Sequence, residues 1–292
     1  MILLTGATGS AGSFIANEFV RERVPVRILV RNRAKATGFE KAPAVEIVEG
    51  DMARSGSLGA ALDGVERVLM ISAPLMDMVK TQTAFIDAAK AAGVRHVIKF
   101  SGLDARPDTT FLFGLMHKEI EEYLERSGLA WTHLRPTGFM QEYLREAPSI
   151  INDGAFYLAL GDVRLNPIDL VDVAKVAFLL LRDGGHEGAR IAITGPETLT
   201  MAEIADRISR AIGKTVRYVA VSPAARRQAL IAHGIPAEFV DALDKQVKER
   251  LKGGIESQVD LSTHQLFKVK PTIFLEFAQR NAEAFGRAAA AV

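Results

Sequence analysis

The chain has 292 residues, with 36 basic and 35 acidic side chains and no cysteine. Those numbers exclude a disulfide framework, a zinc–thiolate or iron–sulfur site and a thiol nucleophile, and a net charge of +1 leaves no footprint for nucleic acid or an acidic membrane surface. A composition of 48% hydrophobic and 24% charged residues fits one large globular domain, or a domain with a smaller appendage.

The chain opens Met1-Ile2-Leu3-Leu4-Thr5-Gly6 without a basic leader or a long apolar core, and no window offers the ~18 consecutive apolar residues of a membrane helix. A cytoplasmic protein with no membrane partner is expected. Short β-branched runs alternate with stretches of helical period, which predicts βαβ units around a buried parallel sheet. Strands are expected at 2–5, 26–30, 45–49, 66–72, 96–100 and 131–135. The segments between them carry apolar residues at helical spacing: Phe14, Ile15, Phe19 and Val20, then Phe85, Ile86, Ala88 and Ala89, then Leu115, Ile120, Tyr123 and Leu124. Six parallel strands with crossover helices make a doubly wound α/β sheet of the Rossmann kind over residues 1–138.

After Pro136 the alternation fails. Residues 139–292 read as a smaller, mainly α-helical, substrate-binding portion on the carboxyl edge of the sheet, with the cleft between the two portions. Helices are expected near 139–151, 169–182, 200–212, 223–233, 236–251 and 271–288, and short strands near 155–159, 190–193 and 216–219. Ala288–Ala291 is the sole low-complexity tract.

Gly6, Gly9 and Gly12 stand three apart between the first strand and its helix. Gly6 permits the tight turn, Gly9 lets a pyrophosphate approach the backbone, and Gly12 lets the helix pack on the strand. With Thr8, Ser10 and Ala11 they predict a dinucleotide cradle on a helix N-terminus. The second strand ends Val30-Arg31-Asn32-Arg33-Ala34-Lys35, with no acid before Glu40. An acid there would take the 2′-hydroxyl of NAD. Arg31, supported by Arg33 or Lys35, suits the 2′-phosphate of NADP(H), the alternative being a solvated basic loop.

The motifs Thr5-Gly6-Ala7-Thr8-Gly9-Ser10-Ala11-Gly12, Gly50-Asp51, Val97-Ile98-Lys99-Phe100-Ser101-Gly102 and Ser127-Gly128-Leu129-Ala130-Trp131-Thr132-His133-Leu134-Arg135-Pro136 resemble those of the NmrA-like branch of atypical short-chain dehydrogenases. So do Asp172–Ala177 and Thr194–Ala205, so that the resemblance spans the chain. The group includes quinone and triphenylmethane-dye reductases and nucleotide-sensing regulators. The resemblance implies that Asp51 and Met52 lie by the adenine, Asp51 alternatively capping the next helix. It also implies that Ser72, Ala73 and Pro74, then Phe100, Ser101 and Gly102, line the nicotinamide side, and that Pro136, Thr137, Gly138 and Phe139 turn over the nicotinamide.

Classical members of that superfamily use a Tyr with a Lys four residues on, one helical turn apart. The four tyrosines here are followed at that spacing by Ser127, Ala147, Gly161 and Ser222, so the dyad is absent. On the helix that should carry it stands His117, where the resembled members often have His or Lys. It would donate a proton to a reduced acceptor, or else cap the helix or face solvent; Lys118, about 100° around, reads as surface. His96 and His133 read as packed strand residues, and His186, His233 and His264 lie in loops or helix ends with no second ligand at metal spacing, so no metal site is expected. The expected activity is hydride transfer from NADPH to a small, apolar, electron-poor acceptor such as a quinone. Leu75, Met76, Met78, Phe111, Phe113 and Met140 are the expected acceptor wall. The rival is a non-catalytic NADP(H) sensor, weighed down by the lack of a charged tail. A monomer or homodimer is expected.

Overall fold

The computed structural model describes residues 1–286. β1 (Ile2–Leu4), β2 (Val26–Val30), β3 (Val45–Glu49), β4 (Arg67–Met70), β5 (His96–Phe100) and β6 (Ala130–Pro136) lie where the apolar runs place them. A seventh strand, β8 (Ala189–Ile193), joins them in one sheet of order β3-β2-β1-β4-β5-β6-β8, parallel throughout. The connecting helices are α1 (Ser10–Glu22), α2 (Gly59–Leu62), α3 (Met78–Ala91), α4 (Leu112–Arg126) and α6 (Leu170–Asp183).

The seventh strand corrects two expectations. The sheet has seven strands, and the Rossmann unit does not close at residue 138, because α6 and β8 belong to it. β8 reads as minor because Arg190 interrupts its apolar run, yet from Thr132↔Ala189 to Pro136↔Ile193 it completes the edge beside β6. α6 packs on α1, with Phe178 edge-on to Phe19 at 4.9 Å.

Two apolar cores cover the two faces. One holds Ile15, Phe19, Ile28, Ile98, Phe100, Val173 and Leu180 under α1 and α6. The other holds Leu3, Val68, Phe85, Ile86, Val97, Ile120 and Leu124 under α3 and α4. Alternation along β5 sends Ile98 and Phe100 to the first face and Val97 to the second.

A third core, with Tyr143, Phe156, Ile204, Ile208, Phe274 and Phe277, organises the appended portion. There α5 (Ala147–Asp153) follows a 3₁₀ turn at Met140–Glu146, where one continuous helix was expected; Pro148 at its start suits the first turn. β7 (Ala155–Leu158) and β9 (Arg217–Ala220) pair as a separate parallel ribbon. α7 (Met201–Ile212) opens with a Thr200–Glu203 capping box. α11 (Phe274–Arg280) packs into this core, while α8 (Pro223–Ala232) and α9 (Ala237–Leu251) pack on each other with α9 against α4, and α10 (Ser262–Leu266) lies beside β8, where Thr263 donates to the Ala192 carbonyl at 2.5 Å. α11 is much shorter than the helix expected at 271–288, whose last two residues, like Ala288–Ala291, lie outside the described residues.

Between α9 and α10 a strap crosses the carboxyl edge of the sheet. Its Glu256 carbonyl accepts from Asn166 N at 2.8 Å, and its Ser257 carbonyl accepts from Thr198 Oγ1 at 3.0 Å.

Candidate active site

The β1–α1 turn is locked from below by Thr5, whose hydroxyl donates to the Ile71 carbonyl at 2.6 Å and accepts from Ile71 N at 2.7 Å. Gly6 has φ +63°, a left-handed conformation that favours glycine, and a Cβ there would meet the Ile71 carbonyl oxygen at 2.9 Å. A Cβ on Gly12 would stand 2.1 Å from the Gly6 carbonyl oxygen, so α1 can close on the turn only without one. Gly9 caps α1 with extended backbone and no side-chain hydrogen bond, and Thr8, Gly9 and Ser10 are exposed while Ala11 is half-buried. The unpaired N–H groups of the first turn and the positive end of the dipole therefore face outward, where a diphosphate fits the cradle.

Arg31, just past β2, is exposed, and among the described residues it and Lys35 have no ion pair or side-chain hydrogen bond. Arg33 is different. Its guanidinium donates to the Ile47 carbonyl at 3.1 Å and its backbone N–H to Glu49 at 2.8 Å, so it braces β3. The Asp51 carboxylate accepts from Ala53 N at 3.0 Å and pairs with Arg54 at 3.2 Å, a local turn cap. Met52 is buried in the α3–α4 core, which leaves its backbone alone for any ligand.

At the ends of β4, β5 and β6 the expected residues sort into two groups. Ala73, Pro74, Leu75 and Met76 are exposed on the turn after β4, and Ser72 accepts from Gln82 at 2.9 Å. Ser101 closes β5 with a buried hydroxyl that has no hydrogen-bond partner among the described residues. Phe100 stacks obliquely on Phe139 at 6.2 Å, beside the turn Pro136-Thr137-Gly138, where Thr137 donates to the Asn166 carbonyl at 2.9 Å.

Four expected wall residues are core instead. Met78 starts α3 with its side chain inside, and Phe111 and Phe113 flank the start of α4, Phe113 packing on Phe239 of α9. Met140 lies in the third core. Burial on two sides was invisible while the partner helices were unplaced. Behind Gly138 and Phe139 lies a small recess with about 20 Å³ of free volume, room for about one water, lined by Glu142, Tyr143, Leu165, Asn166, Pro167 and the Arg250–Glu256 ion pair.

His117 lies on the inner face of α4, its Cδ2 3.7 Å from where a Gly102 Cβ would be. It is half-buried, and it is neither a helix cap nor a solvent-facing residue. Its Nδ1 is 2.8 Å from Nζ of Lys99, a β5 residue that the sequence reading passed over. Lys99 is fully buried and also donates to the Phe100 carbonyl at 3.3 Å. Desolvation, with the nearby Lys99 and Arg135 charges, holds the imidazole's pKa well below its usual value, so the ring is neutral at physiological pH. Burial also lowers the Lys99 amine, to about 7, against the attraction of Glu121. When Lys99 is charged it has only donors, and in that state Nδ1 accepts and Nε2 carries the ring proton. Among the described residues Nε2 has no partner. As expected, Lys118 turns outward and pairs with Glu122.

Behind this pair a group of polar side chains interrupts the apolar face under α4. Arg135 holds Glu121 through two contacts, Nε at 3.0 Å and Nη2. Glu125 accepts from buried His133 at 3.0 Å and pairs with Arg190. Glu121, Glu125 and His133 are close enough together to ligate a cation, but Arg135 and Arg190 already neutralise both carboxylates.

The motif of the NmrA-like family matches residues 1–278. The chain is 35% identical to the NAD(P)H azoreductase of Xenophilus azovorans over 99% of its own length and all of that protein. It is 34% identical to quinone oxidoreductase 2 of Escherichia coli, covering 87% of this chain and 90% of that one. The crystal structure of the Escherichia coli NADPH-dependent quinone oxidoreductase with NADPH superposes with a TM-score of 0.86 at 30% identity, over 96% of this chain and 99% of that chain.

Proposed function

The chain belongs to the NmrA-like family, and from that premise we propose that it is an NADPH-dependent oxidoreductase that reduces small, planar, electron-poor acceptors of the quinone kind. The observation that carries the reading is one edge of one sheet. It bears a phosphate cradle at Gly6–Gly12, free cations after β2, and a neutral histidine with an unpartnered Nε2 beside β5. Relatives named as an NAD(P)H azoreductase and a quinone oxidoreductase match over 99% and 87% of its length.

NADPH, when bound, supplies the hydride. The chain's own residues do the rest. The Gly6–Gly12 backbone and the first turn of α1 hold the diphosphate, and Arg31, with Lys35 behind it, answers the 2′-phosphate by charge-assisted hydrogen bonds. Ser101, whose buried hydroxyl has no hydrogen-bond partner among the described residues, and the turn 136–139 border the nicotinamide side. Leu75, Met76 and Phe139 present the apolar surface on which an aromatic acceptor stacks, excluding water from the reacting faces.

His117 Nε2–H donates a hydrogen bond to the acceptor heteroatom and hands over its proton as negative charge develops there. The Tyr–Lys dyad is unnecessary for such acceptors, because a hydroquinone anion is already delocalised. A cytoplasmic location fits a cysteine-free NADPH enzyme. Steady-state NADPH oxidation against quinones, azo compounds, enones and imines, repeated with NADH, tests the proposal. Saturable turnover with NADPH preferred is expected. Tight NADPH binding with no acceptor turned over would make the protein a sensor of the cofactor.

A further inference from the structure

Lys99 stands where a parallel sheet has no structural use for a charge. β5 is hydrogen-bonded on both sides, by β4 and β6, and both its faces are covered. A strand so placed is normally apolar throughout. Among the described residues Lys99 makes no ion pair, since Glu121, the carboxylate of this layer that faces it, is committed to Arg135. The other charged or titratable neighbours are His117 on α4, and Arg135 and His133 on β6, the last directly opposite in register. A buried ammonium held by a ring nitrogen and a carbonyl costs stability, and such groups collect at sites of function.

We propose that Lys99 is the positioning residue of the proposed reductase, fixing His117 as the Nε2–H tautomer and resupplying the proton that His117 gives to the acceptor. The inference rests on the reductase reading. The bonds balance as follows. When the acceptor has taken the hydride, its heteroatom takes the Nε2 proton; the Nε2–H bond breaks and an O–H or N–H bond forms. The Nζ–H bond breaks as Nδ1–H forms, and Lys99 is left as a neutral amine, which its burial favours. Water then returns one proton to the pair. Each turnover thus consumes one hydride and one proton, with no oxidant or reductant beyond the cofactor.

The relay distinguishes acceptors. An azo or carbonyl group generates a basic anion and needs the proton in the transition state, whereas a quinone generates a weakly basic one and needs it less. The amine's ionisation near pH 7 should therefore appear in the pH profile of the first class and be muted in the second.

Two variants separate positioning from proton supply. Lys99→Arg keeps a donor for Nδ1 but cannot give up its proton near neutrality, and Lys99→Met does neither. Nitrogen chemical shifts of His117 in nitrogen-labelled full-length protein, assigned by loss of the signal in His117→Ala, report the tautomer without cofactor or turnover. The expected spectrum shows protonated Nε2 in the wild type and in Lys99→Arg, and a tautomer mixture in Lys99→Met. With an azo acceptor kcat should fall about 10–100-fold in both variants, with NADPH affinity unchanged and the ionisation near 7 gone. If Lys99→Arg does not fold, Lys99→Met carries both readouts.

A wild-type spectrum with Nδ1 protonated overturns the proposal, as does Lys99→Met with an unaltered tautomer and pH profile. Absence of turnover with every acceptor overturns the reductase reading and the proton supply with it, while the spectrum still decides the positioning.

Discussion

Replacing Lys99 by Met should stabilise the protein at neutral and acid pH while impairing it. Folding lowers the amine from 10.5 to about 7, so between those values the unfolded chain binds the extra proton and stability rises with pH. The penalty is complete below the folded pKa and gone above the unfolded one. A depression of that size at a fully buried group corresponds to roughly 5 kcal/mol near pH 6, and to only about 1.4 kcal/mol near pH 9.5. Met fills nearly the same volume without a charge. It leaves His117 Nδ1 without its donor, a loss of about 1–3 kcal/mol at any pH. The net expectation is a variant more stable than wild type by about 2–4 kcal/mol near pH 6 and level or slightly less stable near pH 9.5. Urea unfolding of both proteins at the two pH values measures this. A variant less stable than wild type at about pH 6, or a difference that does not change between the two pH values, would show that the amine is satisfied in the fold and that the argument from its burial is wrong.

Arg31→Ala should weaken NADPH binding by roughly 10–150-fold, the value of a charge-assisted contact, and leave NADH unaffected; equal loss for both cofactors in a titration would remove Arg31 from the 2′-phosphate. Gly9→Val should fold, since its Cβ would meet only the Gly6 carbonyl oxygen at 3.3 Å, yet lose dinucleotide affinity; circular dichroism and titration together check it. His117→Ala should lower kcat for an azo or carbonyl acceptor by about 10²–10⁴-fold and for a quinone far less, with NADPH affinity unchanged. Met78→Ala should cost about 2–5 kcal/mol of stability, because Met78 is core, whereas Leu75→Ala should leave stability alone and raise KM for the acceptor.

The fold was legible because parallel strands are continuous apolar runs and the helices between them carry one apolar face. β8 was underrated since a five-residue run with Arg190 in it says nothing of the β6 edge it completes. The cradle was legible because its glycines are dictated by local sterics, as the 2.1 Å approach at Gly12 shows. The acceptor wall was not. Whether Phe111, Phe113 or Met140 faces a ligand or a helix depends on where α9 and the third core come to rest, and that is a long-range fact. Arg250, in the last turn of α9, and Glu256, on the strap that follows, line the recess beside Gly138 though both are remote from it in sequence. Lys99 had a signal that could have been used: a lysine inside Val97-Ile98-Lys99-Phe100, in a strand expected to be buried on both faces, is a buried charge in want of an explanation.

The central claim, that this edge performs reduction and does not merely hold the cofactor, is tested most directly by an anaerobic single turnover. Protein loaded with one equivalent of NADPH is mixed with excess quinone, and NADPH oxidation and hydroquinone formation are followed together. The account predicts stoichiometric oxidation at a rate that saturates with quinone, faster than the same mixture without protein, and abolished in Gly9→Val. NADPH that stays reduced on the protein through that experiment, at every quinone concentration, would contradict it.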